Sequence, residues 1–375
     1  MKKVDKKLII AYLDLDDIEN PLLGAGQAQA TYQVAKRLAV KGHEIYVYCS
    51  KYPGYRDRKQ EGINYIHVGL NSKFIKLNNL IYILIAPLIV NRIKADIIVE
   101  CLTAPISTLF SPLFTKIPVV ALPTSFEAER FAKKYHLPFD KIENFGLRFY
   151  RYFLPTSSYF EEKMRKVNKN VITKIVAQGV DSECFSLKTE KPKHILFLGR
   201  LDIGQKGIDL LLTAYKKASN YINYPLIIAG HGPDDEKIQN LINKYNLGHK
   251  VEMIGSAFGN KKRKYFSEAL VFVTPSRHEG FCLAALESLA FGIPVVSFDI
   301  PGLSWLPDSV SLKARAFDIN DLASKLIKSC NVGVNASLRK NCKKVAKKFT
   351  WDKVTKEYES FFRLVLRKEN YHEQY

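Results

Sequence analysis

The chain has 375 residues, of which 47% are hydrophobic, and its formal net charge is +20. This length and apolar content suit two α/β domains better than one. The six cysteines are scattered without a closely spaced pair, which argues against a zinc site or a disulfide framework and indicates a reducing compartment. The charge predicts anionic partners, and nucleotide phosphates, phospholipid and nucleic acid all qualify.

The N-terminal segment predicts a first strand rather than an export signal. Its apolar run, Leu8 to Leu13, is short and soon followed by Asp14 and Asp16. No run of about twenty apolar residues occurs, so no membrane-spanning helix is expected. The longest candidate, Leu80 to Val90, contains Pro87. It predicts a core helix, and contact with a bilayer surface is the alternative.

The first strand, a helical run in residues 31–42 and a second strand at Ile45 to Cys49 predict a βαβ opening. Gly24 and Gly26 precede the helix, where a flexible backbone and the free N–H groups of a first turn favour a phosphate. Asp14-Leu15-Asp16 has the Asp-x-Asp form of some metal sites, but a metal needs several converging oxygens. We interpret it as a loop, and no metal site is predicted.

Residues 130–153 interleave Lys and Arg with Phe and Tyr. This pattern suits a membrane interface or a lipid-linked ligand, and it also suits single-stranded nucleic acid. A buried amphipathic helix with a solvated basic face is the third interpretation. The sequence alone does not decide among the three.

A charged, Pro-containing run at 186–193 predicts a domain boundary. The first domain is then 1–186 and the second 187–354, and 355–375 belongs to a final amphipathic helix. In the second domain, Arg200 follows a strand and Lys206 precedes a helix that begins near Gly207. This places two cations at the crevice where α/β folds bind ligands, an arrangement suited to an anionic ligand.

Residues 271–298 predict strand, loop, helix and strand, with the helix running from Phe281 to Phe291. Glu279 lies at the mouth of this helix and Glu287 two turns inside it. Eight helical residues rise about 12 Å, roughly the distance from the sugar ring to the ribose of a nucleotide sugar. Taken alone, both glutamates could equally face solvent.

The string EGFCLAALESLAFGIPVV resembles the Glu-x7-Glu signature of the retaining glycosyltransferases of family 4, with Cys282 where glycine is common. The Gly-Arg and Lys-Gly pairs around residues 200 and 206, the turn Gly-His-Gly-Pro and the string QGVD at 178–181 also resemble that family. The resemblance implies an α/β GT-B architecture, in which two Rossmann-like domains face across a cleft and the C-terminal helix crosses back to the first.

The same resemblance implies transfer of a sugar from a nucleotide-diphosphate sugar to a hydroxyl acceptor, with retention, in polysaccharide or glycolipid assembly. No cofactor is implied beyond the donor substrate. Where many members carry an acceptor-side histidine this chain has none, and Thr124, Ser125 and Glu127 are the polar candidates in its place. The residues matched to catalysis are Glu279, Arg200 and Lys206, and those matched to donor binding are Gly24, Gly26, Gly280, Phe281, Cys282 and Glu287.

The expected location is the cytoplasm, with peripheral attachment to the inner face of an anionic membrane where the acceptor is lipid-linked. Nucleic acid is not an expected partner, because no nucleic-acid motif occurs. Two alternatives remain: a nucleotide-sugar epimerase-like enzyme on the same fold, and a non-catalytic basic protein that binds nucleic acid or membrane.

Overall fold

The computed structural model describes residues 6–21, 26–102, 108–123, 126, 128–186 and 188–372. The chain divides into two compact units, one formed by Met1–Gln178 with Trp351–Tyr375 and the other by Gly179–Thr350. The sequence placed this boundary at 186/187. It lies earlier because the Val180 N–H donates to the Phe349 carbonyl at 2.9 Å, which attaches the segment after Gln178 to the second unit.

The described part of the first unit contains a sheet in the order β3-β4-β2-β1-β5-β6-β7-β8. Its strand pairs are parallel except β3 with β4. The strands are β1 (Ile9–Leu13), β2 (Glu44–Ser50), β3 (Arg58–Gln60), β4 (Ile63–Val68), β5 (Ile97–Leu102), β6 (Val119–Pro123), β7 (Tyr152–Phe153) and β8 (Ile172–Thr173). The interior strands β5 and β6 are buried along their whole length, as expected for parallel strands covered on both faces.

The helices of this part of the first unit connect the strands of that sheet. They are α1 (Gly26–Val40), α2 (Ile75–Val90), α3 (Ala128–Tyr135), α4 (Phe139–Gly146) and α5 (Ser158–Val167), with 3₁₀ turns at Ser111–Leu113 and Leu147–Phe149. The predicted core helix therefore begins five residues before Leu80 and keeps Pro87 inside it. No helix in the described ranges is both long and apolar enough to cross a membrane.

The basic and aromatic stretch 130–153 contains both buried and exposed aromatic side chains. Tyr150, Tyr152 and Phe153 are core residues, whereas Tyr135 on α3 and Phe145 on α4 are 43% and 56% exposed. The stretch is thus neither wholly a buried helix nor wholly a surface for binding. Its last aromatics build the sheet, and its first ones lie on the surface beside lysines.

The second unit contains a parallel sheet in the order β11-β10-β9-β12-β13-β14. Numbered from its own first strand, this is the 3-2-1-4-5-6 order of a Rossmann fold. The strands are β9 (His194–Leu198), β10 (Leu226–Ala229), β11 (Val251–Gly255), β12 (Ala269–Thr274), β13 (Val295–Phe298) and β14 (Ser311–Ala314). Each strand but β11 and β14 is apolar and buried nearly throughout.

The helices of the second unit alternate with those strands. They are α6 (Ile203–Lys206), α7 (Ile208–Ala218), α8 (Asp235–Lys244), α9 (Gly259–Ser267), α10 (Leu283–Phe291), α11 (Ile319–Val332) and α12 (Ala336–Ala346), with 3₁₀ turns at Ser182–Phe185 and Pro301–Leu303. Two parallel-sheet α/β units confirm the predicted fold class.

The last helix, α13 (Trp351–His372), belongs to the first unit and packs against α1. Val354, Tyr358, Phe361 and Val365 are buried, and their spacing of three and four residues places them on one helix face. Charged pairs lie at the edge of this contact, where Arg37 bonds Asp352 at 2.9 Å and Lys41 bonds Glu359 at 2.5 Å. The predicted amphipathic helix therefore completes the first unit.

Candidate functional site

The strand order of the second unit determines where its loops meet. From β9 the chain proceeds to β10 and β11 on one side and later returns to β12 on the other side of β9. Ligands of open α/β sheets bind outside the carboxyl ends of the strands, at the point where the order reverses. In this unit that point lies between the loop after β9 and the loop after β12.

The loop after β9 forms the short helix α6. Asp202 begins this helix by accepting the Gln205 N–H at 3.0 Å, which satisfies one free donor of the first turn. Gly207 then adopts a left-handed conformation with φ +63°. A Cβ at this position would lie 2.2 Å from the Pro275 carbonyl oxygen, so the close approach of the two loops requires glycine.

Lys206 and Glu279, both predicted as catalytic, are in direct contact. The Lys206 Nζ donates to the Glu279 Oε1 at 2.7 Å, and the two side chains are 19% and 6% exposed. The Ser276 hydroxyl donates to the same carboxylate oxygen at 2.7 Å. A largely buried ion pair with an added hydrogen bond holds both charged groups in fixed positions.

Arg277 also connects the loop after β12 to the segment that follows β9. Its guanidinium forms a bidentate contact with Asp209 on α7, at 2.8 and 2.7 Å, and also donates to the Ile203 carbonyl at 2.7 Å. Its backbone N–H donates to the Gln205 carbonyl at 2.8 Å. Sequence reasoning missed this residue because its partner lies 68 positions away. Its position two residues before Glu279 was the available signal.

Phe281 stabilises the turn that follows Glu279. Its ring stacks on Trp305 with centroids 4.5 Å apart, and its carbonyl accepts the Trp305 Nε1–H at 2.6 Å. The loop carrying Trp305 approaches so closely that a Cβ on Gly302 would lie 1.9 Å from the Glu279 carbonyl oxygen. The backbone around Glu279 is thus fixed by the loops after both β9 and β13.

Helix α10 begins at Leu283, two residues later than predicted. The predicted rise of about 12 Å between the two glutamates assumed continuous helix from Glu279, and that assumption is wrong. Cys282, at the helix N-cap, has φ +66°, the left-handed conformation that glycine adopts without strain. Burial raises the pKa of its thiol to about 12, so the thiol stays protonated at neutral pH.

Glu287 lies inside α10, and its Oε1 accepts the Lys262 Nζ at 2.7 Å. The two side chains are 17% and 29% exposed. Lys262 was not among the predicted residues, because it lies on α9, 25 positions from its partner. A second lysine–carboxylate pair therefore accompanies the first one in the second unit.

The remaining predicted residues are distributed as follows. Arg200 follows β9 and is exposed, and its guanidinium makes no hydrogen bond or ion pair within the described ranges. Gly280 lies between Glu279 and the stacked Phe281. In the first unit, Gly26 is the first residue of α1, and apart from its chain neighbours and the backbone of its own helix no described atom lies within 4 Å of a Cβ built there. Gly24, Thr124, Ser125 and Glu127 lie outside the described residues.

The Asp14 region of the first unit is a hydrogen-bonded loop. Asp14 is buried and accepts the Thr31 hydroxyl at 2.5 Å, and Asp16 accepts the Asp17 N–H at 2.9 Å. Burial raises the pKa of the Asp14 carboxyl, against the lowering effect of the Thr31 hydrogen bond. Within the described ranges no group of three or more His, Cys, Asp or Glu side chains is placed to hold a metal ion.

Two family models match the chain, one for each half. The model described as "Glycosyltransferase Family 4" matches residues 24–183, and the model described as "Glycosyl transferases group 1" matches residues 182–349. The second match contains the Lys206–Glu279 and Lys262–Glu287 pairs. Together the two matches extend over most of the chain.

Curated relatives are similar over part of their length. An uncharacterized glycosyltransferase of Methanocaldococcus jannaschii is 32% identical over 189 residues, which are 46% of this chain and 45% of that protein. The N-acetylgalactosamine-N,N'-diacetylbacillosaminyl-diphospho-undecaprenol 4-alpha-N-acetylgalactosaminyltransferase of Campylobacter jejuni is 28% identical over 237 residues, 62% of this chain and 59% of that protein. The chain spans about half the length of the curated relatives it matches.

Solved structures share the fold over nearly the whole chain. Sucrose-phosphate synthase from Thermosynechococcus elongatus has a TM-score of 0.78 at 19% identity, with 97% of this chain and 100% of that chain covered. An Anabaena protein crystallised with UDP and glucose has a TM-score of 0.71 at 15% identity, with 94% and 98% covered. At these identities the likeness concerns the fold alone, which is GT-B.

Proposed function

The chain belongs to the glycosyltransferases described by these two family models, and from this premise we propose that it transfers a sugar from a nucleotide-diphosphate sugar to a hydroxyl acceptor. The observation that carries the proposal is the Lys206–Glu279 pair. It places a fixed cation and a fixed carboxylate at the strand-order reversal of a Rossmann unit, where such folds bind nucleotides.

Lys206 and Arg200 bind the diphosphate in this proposal. Negative charge develops on the diphosphate as its bond to the sugar breaks, and preorganised cations stabilise that charge without reorganisation. Lys206 acts as a point charge held by Glu279, while the exposed Arg200 offers paired donors to phosphate oxygens. In the first unit, Gly26 begins α1 and Gly24 precedes it in the sequence, and both are proposed as donor-binding residues.

Glu279 and Glu287 bind hydroxyl groups of the donor. Glu279 accepts from the sugar, with the backbone N–H groups of Gly280, Phe281 and Cys282 beside it. Glu287 accepts from the ribose through Oε2, since Lys262 already donates to Oε1. Both oxygens of a carboxylate can accept hydrogen bonds. Lys262 therefore orients the Glu287 side chain and leaves Oε2 able to accept a hydrogen bond from the ribose.

Transfer proceeds with retention and needs no cofactor in this proposal. The bond between the anomeric carbon and the phosphate oxygen breaks, and the acceptor oxygen bonds to that carbon on the same face. The leaving phosphate oxygen takes the acceptor's proton, so no side-chain base is required. A hexose is the proposed sugar. The acceptor binds to the first unit, where Ser125 and Glu127 stand in place of the family's histidine.

The proposed acceptor is a growing polysaccharide or glycolipid, held on a lipid carrier at the inner face of the membrane. The similarity to a Campylobacter jejuni enzyme named for an undecaprenol diphosphate substrate supports a lipid-linked acceptor. The net charge of +20 supports contact with an anionic membrane. The family membership favours this activity over an epimerase and over a non-catalytic binding protein.

A thermal-shift panel of UDP, GDP, ADP and their common sugars tests the donor assignment. A ligand that binds only the folded protein adds about 2.7 kcal/mol of stability at a hundredfold excess over its Kd. We expect one nucleotide family to raise the melting temperature and Glu287→Ala to abolish that rise. Glu236→Ala, an exposed glutamate on α8 of the same unit, is the control and should keep it. If no nucleotide shifts the wild type, the donor assignment is wrong.

A further inference from the structure

From Leu80 to Val90, helix α2 has apolar side chains on every face, but only one face is buried. Asn78, Tyr82, Ala86 and Val90 form the buried row. The opposite row is exposed to solvent, with Leu77 at 40%, Leu80 at 52%, Leu84 at 62% and Leu88 at 67%. Phe74, directly before the helix, is 75% exposed. Spacings of three and four residues place these side chains in one continuous stripe.

The stripe continues onto a neighbouring segment. The 3₁₀ turn Ser111–Leu113 packs against α2, and its last residue, Leu113, and the following Phe114 are 52% and 42% exposed. Between them and the end of α2 lies an open groove of about 580 Å³, lined by Pro87, Leu88, Leu113 and Phe114, with Asn91 and Lys116 at its edge. The α2 face is defined as Phe74, Leu77, Leu80, Leu84, Leu88, Leu113 and Phe114. A contiguous apolar surface of this kind marks an interaction site rather than scattered exposure.

The two chain segments that form the α2 face carry charged side chains of one sign. No Asp or Glu occurs in residues 62–95, nor in 101–126. Exposed Lys73 and Lys76 lie at the start of α2, exposed Arg92 and Lys94 just beyond its end, and exposed Lys116 across the groove. Basic side chains can extend to an anionic plane while apolar ones enter the layer beneath it.

A second copy of the chain fits this surface poorly. A symmetric dimer pairs a surface with itself, so the basic residues around one α2 face would oppose those around the other without a carboxylate between them. An anionic bilayer complements both the leucine stripe and the lysines around it.

We propose that the α2 face docks on an anionic phospholipid bilayer. The helix lies in the plane of the interface, with its leucines about 5–10 Å into the boundary between headgroups and acyl chains, while its buried row stays on the sheet. This docking rests on the proposed function in one respect, which is an acceptor held at the membrane. It assigns membrane attachment of the protein to a defined surface of the first unit.

Sedimentation with vesicles tests the apolar part of this surface. The wild type should bind vesicles of phosphatidylcholine mixed with phosphatidylglycerol far better than vesicles of phosphatidylcholine alone. The triple variant Leu80→Ser, Leu84→Ser and Leu88→Ser should lose more than about tenfold of that binding, because three exposed leucines no longer enter the bilayer. The control changes three exposed apolar residues elsewhere, Val40→Ser, Tyr221→Ser and Val332→Ser, and should bind like the wild type.

The contribution of the basic residues to vesicle binding is tested with the triple variant Lys73→Gln, Lys76→Gln and Lys94→Gln. Each lysine near an anionic surface contributes roughly a severalfold factor, so this variant should lose the preference for phosphatidylglycerol. The control Lys217→Gln with Lys244→Gln, both exposed on the second unit, should keep it. The proposal is overturned if the leucine variant binds vesicles as the wild type does, or if the wild type binds neither vesicle.

Size-exclusion chromatography with light scattering tests whether the α2 face is a dimer interface instead. If the wild type is a dimer that the leucine variant converts to a monomer, the α2 face is a subunit interface and the membrane proposal is wrong. Nucleotide thermal shifts measured on the same variants should be unchanged. A loss of vesicle binding with intact nucleotide shifts therefore separates this proposal from the donor assignment.

Discussion

The Lys206–Glu279 contact couples a proposed catalytic charge to local stability. The lysine is 19% exposed and the glutamate 6%, so removing one partner leaves the other in a poorly solvated position. Loss of a fixed cation from a transition state that gains charge typically costs a factor of about 10² to 10³ in kcat. An unpaired buried charged group costs about 1–3 kcal/mol or more in folding stability.

Lys206→Ala should therefore lower both turnover and stability. Adding Glu279→Gln removes the unpaired charge, so the double variant should regain most of its stability in urea unfolding while kcat stays low. Lys193→Ala is the matched control, because Lys193 pairs with Glu268 at the amino end of β9, away from the proposed site. A double variant that recovers turnover together with stability would show that Lys206 has only a structural role.

Residue identities were easier to predict than residue contacts. Glu279, Glu287, Arg200 and Lys206 were selected from local strings, and two of them, Lys206 and Glu279, touch. Arg277 and Lys262 were missed since their partners, Asp209 and Glu287, lie 68 and 25 positions away. No local periodicity encodes such pairs, because they form only when the fold brings together segments that are distant in the sequence, such as α9 and α10 for Lys262 and Glu287.

At the scale of elements, a buried charge cluster joins β3 and β4 to the loop after β1. Asp17, whose side chain is fully buried, accepts both Arg58 guanidinium nitrogens at 2.7 Å and contacts His67 Nε2 at 2.8 Å. Asp57 contacts the other nitrogen of that ring at 3.0 Å. Burial alone would raise the pKa of the Asp17 carboxyl, but hydrogen bonds from Arg58 and His67 hold it well below its ordinary value.

This cluster predicts an acid-sensitive first unit. Because the folded pKa of Asp17 is depressed, its stabilisation is fully present above the unfolded value of about 4 and is lost as pH falls below that value. Arg58→Met should cost about 3–5 kcal/mol at neutral pH, since it leaves a buried carboxylate without its cation. The difference from the wild type should shrink below about pH 4.

Urea unfolding measured from neutral to acid pH checks this prediction. Arg263→Met is the control, because Arg263 and Glu183 form an exposed pair at 3.4 Å, and such pairs contribute about 0–1 kcal/mol. A pH-independent difference between wild type and Arg58→Met would mean that packing, and not the Asp17 charge, accounts for the loss.

Element boundaries show what local sequence signals can and cannot determine. Gly292 ends α10 as predicted, in a left-handed conformation with φ +82°. The sequence predicts that α10 begins at Phe281, two residues before its observed start, because the apolar residues from Phe281 onward indicate a helix. Phe281 instead stacks on Trp305, so a contact from another loop replaced the first helical turn.

One unit of the molecule is formed by a single chain segment, and the other is formed by two. Gly179–Thr350 is one uninterrupted segment, whereas the first unit needs both Met1–Gln178 and Trp351–Tyr375. Helix α13 contributes Tyr358, Phe361 and Phe362 to the core of that unit. Without the helix, the face of α1 that packs on it would lie open to water. The end of the sequence is therefore needed to complete the domain with which the chain begins.

This difference predicts the behaviour of fragments. Residues 179–350 expressed alone should unfold in one cooperative thermal transition and should show a nucleotide shift, because Lys206, Glu279 and Glu287 all lie in that segment. Residues 1–178 alone should lack a cooperative transition, and joining them to 351–375 by a Gly/Ser linker should restore one. Thermal melts followed by circular dichroism show which of the three fragments unfold cooperatively. A cooperative melt of 1–178 alone, near the temperature of the linked form, would show that α13 is dispensable for the first unit and that its buried aromatics contribute little to folding.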